Sequence, residues 1–184
     1  MDNIANQATL LYNNMTTNSN TVTTQILSLY DLTATKEALL DTYTPNQTIT
    51  YVTRVENTGS ASLYNLTVVD DLAKGLTQYV DNSVEGYLNG TPIEVNVQIT
   101  NNAVIFTIDN VINPNDNVLI IFETTTPTTR PDVLTNTQTI TANGGSTTGP
   151  IVAVTPNPSA SVKLANYVSL DITKSANKAS IYSG

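Results

Sequence analysis

Lys36, Asp70 and Asn136 lie far apart in the chain, yet their types and settings would let them react with one another. Each sits in a stretch whose apolar residues alternate, the pattern of a strand with one buried face. Alternation puts Lys36 on the face of Leu32 and Ala34, Asp70 on the face of Leu66 and Val68, and Asn136 on the face of Leu134 and Ile140. All three are therefore expected to point into a core. An unpaired ammonium or carboxylate there is costly, so the groups must be paired, neutralised or consumed. Burial favours the neutral amine and the neutral acid. A neutral Lys36 could then attack the side-chain carbonyl of Asn136 while Asp70 polarises it and ammonia leaves, giving an intramolecular isopeptide. The alternative is that the three are only hydrogen-bonded, or reach water at sheet edges, because a one-residue slip reverses every face.

Other chemistry is sparse. The chain has no Cys and no His, which removes thiol nucleophiles, disulfides, the usual zinc sites and imidazole general bases. No enzyme is expected. Asp71, Asp81 and Asp116 offer the hard oxygen ligands that calcium prefers. Their spacing matches no EF-hand loop, and short polar side chains also favour turns by bonding their own backbone. The expectation is no cofactor, with calcium as the one ion to consider. The net charge is −8 and the seven Lys and Arg are scattered, so a nucleic-acid surface is not expected.

The elements that must position the three residues are short strands. Polar or glycine turns occur at Asn57-Thr58-Gly59, Asn89-Gly90, Asn101-Asn102, Asn113 to Asp116 and Gly144-Gly145. Between them lie candidate strands at 48–56, 63–70, 78–84, 86–88, 93–99, 104–108, 118–124, 133–142 and 151–155, with Lys36 on an opening strand. Punctuation every eight to twelve residues predicts an all-β sandwich. Residues 4–12 and 20–27 form a hairpin around a polar turn at 13–19. Nine tyrosines and no tryptophan are read as core and rim packing.

Two echoes organise the whole. Leu32-Thr33-Ala34-Thr35-Lys36 returns as Leu170-Asp171-Ile172-Thr173-Lys174, and Ile4 to Leu10 returns as Leu134 to Ile140. The offsets are 170 − 32 = 138 and 136 − 6 = 130, the size of a whole domain in tandem. The expected organisation is 1–27 as the tail strands of a preceding repeat, 28–156 as a complete sandwich, and 157–184 as linker and first strand of a following repeat. Pro156 to Ser159 marks the joint. Asn6 and Lys174 become inter-repeat counterparts of Asn136 and Lys36. Incomplete repeats leave open edges, which invites strand exchange with copies of the chain or with adjacent repeats. Nothing after Met1 resembles an export signal, so any signal would lie outside this segment, and no stretch is long enough to cross a bilayer.

The motifs Asn57-Thr58-Gly59 and Asn65 to Leu76, with Thr48-Ile49-Thr50-Tyr51, the Gly86 to Pro92 hairpin and Asn113-Pro114-Asn115-Asp116, resemble the repeat family called domain of unknown function eleven. The resemblance covers roughly residues 29 to 155 and departs from the usual pattern at Ala73, where the family tends to have proline. It implies an immunoglobulin-like Greek-key sandwich used in tandem on bacterial surfaces, as a stalk, fibre or spore or wall appendage. Lysine in a first strand, acid in the middle and asparagine in a last strand is similar to the arrangement in Gram-positive pilin and collagen-adhesin domains. The implied setting is extracellular. Partners would be copies or adjacent repeats of the chain, or, for an adhesin module, a host protein or glycan.

Overall fold

The computed structural model describes residues 3–25, 29–75, 77–100, 102–165, 173 and 175. The N-terminal strands are Asn3–Asn6 (β1), Thr9–Tyr12 (β2), Met15–Asn18 (β3) and Val22–Gln25 (β4). β2 pairs β3 around Asn13 and Asn14, both at positive φ, and β1 pairs β4 further down the same hairpin. The turn is thus two residues long rather than the expected 13–19, because consecutive left-handed asparagines match the twist of paired strands.

Ten further strands and one helical turn precede the long strand that carries Asn136. They are Thr33–Ala38 (β5), Thr42–Tyr43 (β6), Thr48–Glu56 (β7), Leu63–Asp71 (β8), the turn Leu72–Gly75 (α1), Gln78–Tyr79 (β9), Glu85–Leu88 (β10), Thr91–Ile93 (β11), Asn96–Ile99 (β12), Ala103–Ile108 (β13) and Asn117–Thr125 (β14). Val133–Gly144 (β15), Ile151–Ala153 (β16) and Ser159–Leu164 (β17) complete the chain's described strands. One sheet runs β11-β10-β14-β7-β5, with β9 on β14. The other runs β12-β13-β8-β15-β17-β6, with β16 on β15. The two face each other as an all-β, immunoglobulin-like sandwich. Among the described residues no helix is long and apolar enough to cross a membrane.

Alternation builds the core directly. β7 turns Ile49, Tyr51, Thr53 and Val55 inward, β14 turns Val118, Ile120, Phe122 and Thr124 inward, and β15 turns Leu134, Asn136, Gln138, Ile140 and Ala142 inward. In β8 both Leu63 and Leu66 are buried although they are three positions apart, an odd spacing that strict alternation would put on opposite faces. Asn65, at φ 50°, supplies the irregularity, and the facing register on β15 shifts between Thr141 and Asn143. The bulge puts Leu66, Val68 and Asp70 on the inner face.

Two expectations about boundaries need correcting. β17 pairs antiparallel with β15 from Val133↔Lys163 to Thr137↔Ser159 and parallel with β6, so the sandwich extends past 156. Pro156 to Ser159 is a connection within it, not a joint between domains. β15 is likewise not the last strand. The predicted strand at 93–99 is two strands, β11 and β12, which belong to different sheets.

Candidate functional site

Lys36 is the one inward position of β5 that is fully enclosed, and register places it opposite Thr53 of β7. Across the sandwich Asp70 of β8 stands opposite Gln138 of β15. Two cross-strand pairs thus face each other from the two sheets. Lys36 Nζ donates to Asp70 Oδ2 at 2.5 Å, and both side chains are completely shielded from solvent. Gln138 Nε2 donates to the same Oδ2 at 3.0 Å, and Gln138 Oε1 accepts from Thr53 Oγ1 at 2.8 Å. Asp70 Oδ1 is buried with no hydrogen-bond partner.

The floor is aromatic. Lys36 Nζ sits 4.6 Å from the centroid of Tyr51 and 4.7 Å from that of Phe122, and those two rings stack at 5.7 Å with 26° between planes. Phe106 packs on Phe122 at 5.0 Å and extends the apolar wall. The ring faces attract a cation but cannot replace its water shell. Burial therefore pushes the Lys36 amine down to about 8 despite the charge and hydrogen bond of Asp70, which pull the other way.

Asn136 is wholly buried two residues before Gln138 on the same face of β15, and neither its Oδ1 nor its Nδ2 has a well-formed hydrogen bond. Its side chain lies beside the Tyr51 hydroxyl, whose pKa is pushed up to about 12 by burial and then by the Asp70 charge, with the Asn136 contact opposing. Tyr51 therefore touches both Lys36 and Asn136. α1 lies over the asparagine: a side chain on Gly75 would meet Asn136 Cα and Cβ at 3.6 Å. Water is excluded from this side of the site.

Lys36, Asp70 and Asn136 are thus gathered in one dry, aromatic-lined chamber. Its contents are an amine, a carboxyl and an unengaged carboxamide, the reactants for amide exchange. Sequence reasoning did not single out Thr53, Gln138, Tyr51 or Phe122 as parts of the site. Gln138 could have been found by stepping two residues from Asn136 along the same face.

The calcium candidates do not converge. Asp71 ends β8, Asp81 follows β9 in an exposed turn, and Asp116 closes the turn before β14 by accepting from Asn113 N and from Asn89 Nδ2, each at 2.7 Å. Among the described residues no group of three or more His, Cys, Asp or Glu side chains is placed to hold a metal ion. Asn6 is exposed on β1. Lys174 lies outside the described residues.

No protein-family model matches the chain, so the resemblance to domain of unknown function eleven rests on its motifs, and no curated protein matches either. Solved structures do match. The chain is similar to BcpA, the major pilin subunit of Bacillus cereus, at 13% identity and TM-score 0.54, covering 86% of this chain and 47% of that one. It is similar to the full-length major pilin SpaD from Corynebacterium diphtheriae at 16% identity and TM-score 0.54, covering 70% and 33%. The pilus backbone RrgB from Streptococcus pneumoniae matches at 10% identity and TM-score 0.50, covering 62% and 52%. The chain spans about half the length of the first structures it matches. The fold is the immunoglobulin-like sandwich that these pilins share.

Proposed function

We propose that this chain is a load-bearing structural module of a bacterial surface protein, part of a stalk, fibre or spore or wall appendage, whose sandwich is sealed by an isopeptide between Lys36 and Asn136. The observation that carries the reading is the buried Lys36–Asp70 pair set against an enclosed carboxamide with no well-formed hydrogen bond of its own. Such an arrangement is hard to explain as a means of stability alone, since a buried ion pair seldom outperforms apolar packing.

The step balances as follows. A proton passes from the Lys36 ammonium to Asp70 through their 2.5 Å contact, leaving amine and acid. The amine attacks Asn136 Cγ while the acid polarises Oδ1. The new N–C bond forms, the bond to Nδ2 breaks, and a proton from the amine leaves with it as ammonia. Asp70 ends the exchange as the acid and returns to carboxylate by giving that proton to the departing ammonia, which leaves as ammonium. An intact mass about 17 Da below that of the sequence is expected, and an unaltered mass would refute the crosslink.

The tandem reading supports an outward role for the N-terminal hairpin. Its layout follows that of β15 with β16 and β17: Ile4↔Thr24 and Asn6↔Val22 correspond to Leu134↔Val162 and Asn136↔Ala160. Leu134 and Ile140 are buried, whereas Ile4, Leu10, Leu11, Tyr12 and Met15 are exposed. An adjacent repeat or a second copy would cover that face, in keeping with the repeat family that the motifs resemble. Sedimentation of the purified chain over a concentration series tests this, and a strict monomer throughout would count against exchange between copies.

A further inference from the structure

We infer that Gln138 is the positioning residue of the crosslinking site: it selects which oxygen of Asp70 acts on Asn136. The inference rests on the isopeptide reading and extends it to a residue outside the reacting three.

Asp70 has two oxygens and the site treats them differently. Lys36 Nζ and Gln138 Nε2 both donate to Oδ2, whereas Oδ1 has no partner. A carboxylate only accepts, so the Gln138 group facing it must be the amide nitrogen. The amide oxygen then faces Thr53, whose hydroxyl donates to it at 2.8 Å. Thr53 thereby fixes the amide of Gln138, and Gln138 fixes the carboxyl of Asp70. With Oδ2 engaged twice, Oδ1 is the oxygen free to carry the proton to the Asn136 carbonyl. The first Lys36 proton turns the carboxyl into the acid that presents it from Oδ1. Oδ2, still an acceptor, takes the second proton from the attacking nitrogen and passes it to the departing Nδ2. Without Gln138 the carboxyl can rotate about its χ2 bond, and the two tasks are no longer assigned to separate oxygens. The register makes the arrangement possible, because Lys36 faces Thr53 within one sheet and Asp70 faces Gln138 within the other.

The full chain is made by cell-free synthesis, released, and followed by intact mass as ammonia is lost. Gln138→Leu keeps the volume and removes both hydrogen bonds, so crosslinking is expected to slow by roughly tenfold to a hundredfold, the scale of a misaligned reactive group. Gln138→Glu gives the discriminating readout. The titratable groups facing this position are Lys36 from β5, Asp70 from β8 and Tyr51 from β7. At neutral pH the added carboxylate unbalances that cluster and crosslinking stalls. One added proton restores both its charge count and a donor towards Oδ2, so the rate should recover towards about pH 5, while Gln138→Leu stays slow throughout. A purely structural role gives no such recovery. If Gln138→Leu fails to fold by circular dichroism, Thr53→Val, which only frees the amide to turn, is expected to slow the reaction in the same sense. Wild-type crosslinking with variants equally fast overturns this inference and leaves the isopeptide standing. A wild-type mass that never falls overturns both.

Discussion

Asn136→Ala removes the electrophile while leaving the Lys36–Asp70 pair in place, so it isolates what the crosslink contributes. The loop it would close contains 136 − 36 = 100 residues, and closing a loop of about that length stabilises by about 4.7 kcal/mol when only chain entropy is counted. Truncation has a second effect, a small cavity, but it also deletes a buried amide whose polar atoms have no hydrogen bond, and these oppose each other. The crosslink therefore dominates. In a chain of this size each kcal/mol moves the melting temperature by roughly 2–4 °C, so the variant should melt roughly 10–20 °C below wild type. Lys36→Met should fall further, since it also strips a buried carboxylate of its partner at roughly 3–5 kcal/mol. Calorimetry paired with intact mass is the assay. A wild-type mass equal to that of the sequence, with Asn136→Ala melting within about 3 °C of it, would refute the reasoning.

In the Asn136→Ala background Lys36 remains an amine with a folded pKa of about 8 against 10.5, while Tyr51 is held at about 12 against 10.0. The unfolded chain holds the extra proton between about pH 8 and 10 and loses the tyrosine proton first above that, so urea midpoints should climb to a maximum near pH 10 and then decline; a flat profile would mean that the amine is not buried. Tyr51→Phe keeps the ring under Lys36 and deletes a hydroxyl lacking a well-formed hydrogen bond, so stability should change by less than about 1 kcal/mol in chemical denaturation. Asn57→Ala should cost about 3 kcal/mol in the same assay, because the buried amide donates to Ala61 O and Ile112 O at 2.9 Å and accepts from Gly59 N at 3.0 Å. Leu10→Asp with Tyr12→Ser should reduce any self-association seen in sedimentation while leaving the melting of the sandwich within about 2 °C.

The three candidate residues were readable because strand parity is a local property. Lys36, Asp70 and Asn136 each needed only their own neighbours at two-residue spacing to be placed on an inner face, and all three are buried. Thr53 and Phe122 were not readable as partners. Their place beside Lys36 depends on how the strands of one sheet are ordered and on how the two sheets face, neither of which any short stretch encodes. Asp70 inherits its orientation from the bulge at Asn65, which alternation after Leu66 already reflected although nothing announced the bulge itself. β17 was missed for a related reason. Pro156 and Pro158 punctuate the chain as a linker would, and only the pairing of Val162 with Leu134, 28 residues upstream, shows that the segment returns to the sandwich. The two-residue strand β6 lacks even a periodicity to detect.

The position of β17 gives a sealed sandwich a particular response to pulling. Chain enters at β5, three residues before Lys36, and β17 leaves after pairing along the far edge of β15. With Lys36 and Asn136 joined, force applied to the two ends would bypass the 99 residues between them. Within the sandwich, apart from the few residues of β5 before Lys36, the segment from Asn136 to Leu164 is what could then pay out. Those 28 residues correspond to roughly 90–100 Å of extended chain, released by unzipping β17 pair by pair from β15 and recovered when the strand rebinds. The module would act as an inextensible link in series with a short, resettable shock absorber.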